Sequence, residues 1–299
     1  MEIQWRRPEL SDKELITSYY KKYPSRNCER TFTNSYLWSR RYKVTFAIVE
    51  NALVFRMGDA PFTFSHPAGE KEDMKKAIET LRVYAREHGQ RFGLYNLTPE
   101  EFAELVEWYP GEFEITYNRD YADYVYETEK LISLQGKKLH GKRNHINKFK
   151  QENPNWSYEP ITAENVEDCF QMALKWRQEN GCAEDEEKNA EMCVTLNSLR
   201  LFEELNLTGG ILKVDGEIIA FTIGEELCED TFVTHIEKAF ASVQGAYPMI
   251  NQQFAMHACA KYRYINREED TGSEGLRKAK LSYRPAFLVE KGIAKEKEL

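Results

Sequence analysis

The sequence predicts an α+β fold, in the form of two mixed α/β units with mainly antiparallel central sheets. Three observations lead there. At 299 residues the chain has material for two cores of ordinary size. Two stretches, "KVTFAIVENALVFRM" and "GGILKVDGEIIAFTIGEEL", each read as a pair of apolar runs around a short polar turn, at Glu50-Asn51 and Asp215-Gly216, which makes the paired strands antiparallel. Segments with helical spacing alternate with such runs in both halves, so the second half repeats the order of the first. The division is expected at residues 1–128 and 129–299.

In chain order, "SDKE" (Ser11 to Glu14) and "TPEE" (Thr98 to Glu101) have the form of capping boxes and predict helices after both. Between them, Met74, Ile78, Leu81 and Tyr84 recur on one helical face that ends at Gly89. "EFEITYNRDYADYVYETEKLISL" alternates enough for one or two strands. In the second half, Val166, Cys169, Phe170, Ala173 and Leu174 mark a helix and "EEKNAEMCVTLNSLRLFEEL" a second one. The Asp215-Gly216 hairpin follows, then "TFVTHIEKAF" as a third strand and "YPMINQQFAMHACAKY" as a helix with Pro248 near its start. "YRYIN" is a fourth strand and "SEGLRKAKLSY" a last helix, stopped by Pro285.

Composition bounds the function. The net charge of −8 opposes general binding to DNA. The charge is uneven, because "LISLQGKKLHGKRNHINKFK" (Leu131 to Lys150) holds Lys, Arg and His without an acid, which predicts a local anion site on an acidic protein. No apolar stretch approaches the ~20 residues of a membrane-spanning helix. The amino terminus has no signal-peptide core, so a cytoplasmic protein is expected. The six cysteines, Cys28, Cys169, Cys182, Cys193, Cys228 and Cys259, stand at wide, irregular intervals and read as free thiols.

Two helices, an antiparallel meander, a helix, a strand and a helix is the element order of the acyl-CoA N-acyltransferase (GNAT) fold, here in tandem. Several stretches, among them "DYVYETEKLISLQGKKLHGKRNHINKF", "GGILKVDGEIIAFTIGE", "HIEKAF", "GAYPMINQQFA" and "YINREEDTGSEGLRKAKLSYRP", resemble the bacterial proteins that share the carboxy-terminal domain of phosphatidylglycerol lysyltransferase, related to the Fem peptidyltransferases. The likeness covers most of Asp123 to Pro285. It implies two GNAT-like domains with terminal strands exchanged between them, and transfer of an acyl or aminoacyl group to an amine or hydroxyl. The implied donor bears phosphate: aminoacyl-tRNA, acyl-CoA or a lipid headgroup.

The chemistry-bearing residues crowd the last of those stretches. If "YRYIN" is a strand, then Asn266, Arg267, Glu268 and Asp270 sit at its carboxyl end, where open α/β sheets place their sites. Leu276, Lys280 and Tyr283 fall at i, i+4 and i+7 of the next helix, so Lys280 is expected on a buried face, with Arg277 close by. A lysine there needs an anion: either Glu268 or Asp270 in a salt bridge, or a phosphate or developing oxyanion. Gly136 and Gly141 flank a loop suited to phosphate, with Lys142 and Arg143 as its leading contacts.

His235 and Glu237 are two apart on one strand, hence on one face with Lys238 opposed. They read either as a proton-transfer pair or as a satisfied hydrogen bond. The acetyl-CoA fingerprint Q/R-x-x-G-x-G/A is replaced by "SVQGAYPMIN", in which Ser242 and Tyr247 break the pattern. This disfavours CoA and leaves Tyr247 and Asn251 as substrate contacts. Histidine and cysteine spacings give no metal motif. Lys280, Glu268, His235 and Glu237 are thus the candidate catalytic groups, in a site between the two domains. The alternative reading is a non-catalytic module that holds a phosphorylated ligand in a cationic cleft.

Overall fold

The protein is described by a computed structural model covering residues 3–297. It divides into two compact units, one of residues 1–123 with 289–299 and one of residues 124–288.

The first unit begins with α1 (Lys13–Lys22) and α2 (Phe32–Leu37), followed by the hairpin of β1 (Val44–Val49) and β2 (Ala52–Met57). Its turn residues Glu50 and Asn51 both take positive φ, 49° and 64°, the conformation that a tight two-residue hairpin demands. Then come β3 (Thr63–Ser65), α3 (Lys71–Glu87), β4 (Gly93–Leu97), α4 (Pro99–Trp108) and β5 (Phe113–Tyr117). The apolar stripe of α3, with Ala77, Ile78, Leu81 and Ala85 fully buried, packs on Val54, Phe64 and Leu94 of the sheet.

Thr98 forms its capping box with Glu101, their backbone N–H groups donating to the opposite side chains at 2.9 and 3.3 Å. "SDKE" does not form one. A 3-10 turn at Leu10–Asp12 leads into α1, and the carboxylate of Asp12 accepts from the Glu9 N–H at 2.9 Å while pairing with Arg6. Ser11 lies inside that turn, and α1 starts after Asp12 with no side-chain cap bond, so the reciprocal pairing falls on Glu9 and Asp12 around the 3-10 turn instead.

The second unit runs β6 (Asp123–Glu127), α5 (Thr128–Ser133), α6 (His140–Glu152), β7 (Trp156–Pro160), α7 (Val166–Glu179), α8 (Glu186–Arg200), β8 (Thr208–Val214), β9 (Glu217–Cys228), β10 (Thr231–Ala239), α9 (Ala246–His257), β11 (Tyr264–Asn266), α10 (Glu274–Leu281) and β12 (Phe287–Val289). A last strand, β13 (Gly292–Glu296), returns to the first unit. The two sheets have the orders β1-β2-β3-β4-β13-β5 and β12-β6-β11-β10-β9-β8-β7. The boundary falls at 123/124, before the 128/129 division read from the sequence, because β6 pairs antiparallel with β11. At the other end, β13 lies between β4 and β5, so residues 289–299 count with the first unit.

The Asp215-Gly216 turn joins β8 to β9 with φ of 50° and 84°. The pair that positions the site is β10 with β11. They are parallel, and their register covers only Thr231, Phe232 and Val233 of the nine residues of β10. All three residues of β11 are used in this pairing, so among the described residues β10 has no strand partner on that side beyond Val233, and the ladder is open at the middle of the sheet. Among the described residues, no helix is long and apolar enough to cross a membrane.

Candidate functional site

Where β10 runs on past the end of β11, the side chains on either side of the opening are charged. Glu237 of β10 receives Arg267 Nη2 at 2.9 Å on one carboxylate oxygen and the Asn251 amide of α9 at 3.2 Å on the other. Arg267, the residue after β11, is 11% exposed and lies across two phenol rings, 5.0 Å from the centre of Tyr283 and 5.7 Å from that of Tyr126. The ammonium of Lys142, from the first turn of α6, sits 4.0 Å above the same Tyr283 ring.

α6 reaches this position because α9 starts hard against it. Gly245, with φ of 86°, precedes α9, and a Cβ there would stand 2.7 Å from the carbonyl oxygen of His145. A side chain at that position would push the two helices apart.

Two cations thus lie against one aromatic ring, beside a single carboxylate. Burial, reinforced by the Arg267 charge and opposed by Glu237, lowers the Lys142 ammonium to about 8. Arg267 Nη1 and Asn251 Oδ1 are both buried without a hydrogen-bond partner. A buried donor and a buried acceptor thus stand unmatched beside two cations and one carboxylate.

His235 does not join Glu237. A β-bulge between Thr234 and Ile236 breaks the two-residue alternation assumed from the sequence. His235 enters a separate cluster, with Nδ1 2.7 Å from Glu268 Oε1 and Nε2 3.0 Å from Glu225 Oε1. Burial opposes its charge, but hydrogen bonds to both carboxylates outweigh it and raise the imidazole to about 10. Raised in this way, the imidazole is charged near neutral pH and ties β10 to the loop after β11 through Glu268 and to β9 through Glu225. Lys238 points the other way, paired with Glu191 of α8 and lying 4.3 Å above the Trp176 ring of α7.

Lys280 is buried, as its spacing suggested, but its neighbours differ. Its ammonium donates to the backbone carbonyls of Arg267 at 2.6 Å, Glu268 at 3.2 Å and Glu269. Three carbonyls take the three donors of an ammonium, so Lys280 clasps the loop after β11 from below. Leu276, assigned to the same buried face, is 41% exposed. Asp270 is fully buried. It accepts from Tyr124, from the Gly272 N–H at 3.0 Å and from Arg277 at 2.7 and 2.9 Å, and these contacts hold it charged far below the usual carboxylate range despite burial. Asn266 Oδ1 receives the Glu268 N–H at 2.7 Å in the same loop.

Arg143 turns away from the opening and donates to the carbonyls of Leu134 and, at 2.9 Å, Gly136, closing the end of α5. Tyr247 is exposed at the start of α9. Lys142, Glu237, Asn251, Arg267 and Tyr283 therefore assemble into one cluster. Glu268, Asn266, Asp270, Arg277 and Lys280 shape the loop that presents Arg267. Tyr124 and Tyr126 were missed, although "DYVYE" places them two apart on one face of β6; Tyr126 also donates to the Lys280 carbonyl at 2.8 Å.

The model of the family described as phosphatidylglycerol lysyltransferase, C-terminal, matches residues 20–294. A crystal structure of a conserved protein of unknown function from Bacteroides thetaiotaomicron is 39% identical over 99% of this chain and 100% of its own, with a TM-score of 0.93. The structure of L-PGS from Bacillus licheniformis superposes with a TM-score of 0.69 at 14% identity, covering 100% of this chain and 95% of that one, a likeness of fold. An uncharacterised protein of Mycoplasmoides gallisepticum is 24% identical over 64% of this chain, and the match spans 61% of that curated relative's length. A GNAT-family acetyltransferase from Colwellia psychrerythraea superposes with a TM-score of 0.52 at 10% identity over 100% of each chain, a likeness of fold that agrees with the GNAT-like architecture expected from element order.

Proposed function

This chain belongs to the phosphatidylglycerol lysyltransferase C-terminal family, and on that premise we propose that its second unit transfers an acyl or aminoacyl group from a phosphate-bearing donor to an amine or hydroxyl, at the opening between β10 and β11. One observation carries the reading: Arg267 is held by Glu237 through one nitrogen while its Nη1 is buried and unpaired. A guanidinium fixed in this way is a preorganised donor for an oxyanion or a phosphate oxygen, since no reorganisation is needed when charge develops.

In acyl transfer, the acceptor's lone pair adds to the donor carbonyl, the carbonyl oxygen becomes an oxyanion, and the bond to the leaving oxygen or sulfur then breaks. Arg267 Nη1 would stabilise that oxyanion. Lys142, lowered to about 8, would neutralise a phosphate or pass a proton near neutral pH. Asn251 Oδ1 would accept from an N–H or O–H of the substrate. The family name makes phosphatidylglycerol the first acceptor to try and lysine the first group to be moved.

The test is transfer by the purified chain from lysyl-tRNA or an acyl-CoA to phosphatidylglycerol vesicles or a free amine, followed by mass spectrometry. Arg267→Lys keeps a cation for Glu237 and removes the second nitrogen, so it should fold and lose transfer by about 100-fold or more. A wild-type rate in Arg267→Lys, or no transfer with any of these donor and acceptor pairs, would overturn the assignment.

A further inference from the structure

Away from this opening, the first unit buries a thiol, an ammonium and a carboxylate against one another. Cys28 is 1% exposed, Lys291 2% and Asp123 0%. Lys291 Nζ lies 2.7 Å from Asp123 Oδ1 and 3.5 Å from Cys28 Sγ, and the sulfur is itself 3.3 Å from Asp123 Oδ1. The backbone fixes the cysteine: its N–H donates to Asp123 Oδ2 at 2.9 Å, and its carbonyl receives the Asn34 amide at 3.1 Å. A carboxylate would balance the lysine without help, so the buried ion pair alone does not require a sulfur in contact with the nitrogen. The carboxylate sets both partners: it holds Nζ beside Sγ and can accept a proton from either.

We propose that Cys28 and Lys291 form a covalent oxidative cross-link, with one oxygen atom joining Sγ to Nζ and dioxygen as the oxidant. The S–H bond, two N–H bonds of the ammonium and the O–O bond break, while one S–O and one O–N bond form. Sulfur and nitrogen each give up two electrons and dioxygen takes four. One oxygen stays in the bridge and the other leaves as water. The third hydrogen departs as a proton, with Asp123 in place to take it. The pair is set up for this by contact distance, since a thiol and an amine already touching need only a small shift of the flexible lysine to admit a bridging oxygen. The link would join segments 263 residues apart, fastening the strand that follows Lys291 to the region around Cys28. A ring of that size restricts the unfolded chain and so stabilises the folded one.

The experiment compares the full chain kept anaerobic with the same chain exposed to air, by intact mass, peptide mapping and thermal unfolding. The expected result is a gain of one oxygen less two hydrogens, located in a peptide pair containing Cys28 and Lys291. Dithiothreitol should reverse it, and the first unit should melt at a higher temperature before reduction than after. Lys291→Arg keeps a cation for Asp123 and should abolish the mass gain, as should Cys28→Ser; if either variant fails to fold, the wild-type comparison still decides. An unchanged mass in air, whole-oxygen additions confined to Cys28, or a gain that persists in folded Lys291→Arg would overturn the proposal.

Discussion

Replacing Lys280 by methionine keeps most of the side-chain length and removes the charge that three carbonyls surround. The residue is only 8% exposed, and the acceptors are consecutive, the carbonyls of Arg267, Glu268 and Glu269. Each charge-assisted bond is worth about 1.5–3 kcal/mol, and a buried carbonyl left unmatched costs about 1–3 kcal/mol. The loop can relax and admit water, so the three losses do not add in full, and a total of roughly 3–5 kcal/mol is expected. For a unit of this size that corresponds to a fall in melting temperature of about 6–20 °C. Urea denaturation followed by circular dichroism measures it directly. Because the same loop presents Arg267, transfer should be lost as well, but as a consequence of disorder. A Lys280→Met variant that loses transfer with less than about 1 kcal/mol of stability would refute the carbonyl clasp and return Lys280 to a direct role at the substrate.

Other perturbations separate the remaining charges. Lys142 has a folded pKa lowered to about 8 from 10.5, so its burial costs stability below pH 8 and the cost is relieved as pH rises toward 10.5. Lys142→Met should therefore be more stable than wild type at pH 7, with the gap closing by pH 10.5, and should bind inorganic pyrophosphate more weakly; equal stability at both pH values would contradict the assignment. His235 has the opposite sign: raised to about 10 from 6.5, it contributes stability in full below pH 6.5 and loses it as pH climbs through about 10. The stability difference between wild type and His235→Gln should fade over that window, and a flat difference would show that the two glutamates do not act on it. Arg143→Ala should cost about 1–2 kcal/mol while leaving pyrophosphate affinity intact, because its donors serve the Leu134 and Gly136 carbonyls. A stable variant with lost affinity would place Arg143 at the ligand.

Local chemistry was legible in the sequence wherever a short-range rule decides the outcome. Asp215-Gly216 and Glu50-Asn51 turn their hairpins through positive φ, and Thr98 caps α4 through Glu101. Long-range geometry was not. The bulge that separates His235 from Glu237 depends on how β10 registers with β9, which neither strand encodes alone. The spacing Leu276, Lys280, Tyr283 assumed a helix through all three, but α10 ends at Leu281 and Tyr283 lies past its last turn, free to come under Lys142 from another direction. Lys280 was recognised as a buried cation with a debt to satisfy, but backbone carbonyls carry no signature in side-chain spacing. Arg267 was expected at the carboxyl end of its strand, among the site residues, but its contacts were not legible. Its importance comes from the end of β11 beside β10 and from Tyr126, whose approach depends on β6 pairing with β11.

The placement of β13 also orders events in time. β4 and β5 have no pairing with each other in the sheet order, and the strand that joins them is made of Gly292–Glu296, translated after every residue of the second unit. Chains emerge from the ribosome amino end first, and domains ordinarily fold as they emerge. Here the order is inverted. Residues 124–288 can complete their sheet while the first unit, although synthesised earlier, still lacks the strand between β4 and β5. Until that strand arrives, two edges with unpaired backbone groups stand open, and a nascent or truncated chain offers them to any other extended segment within reach.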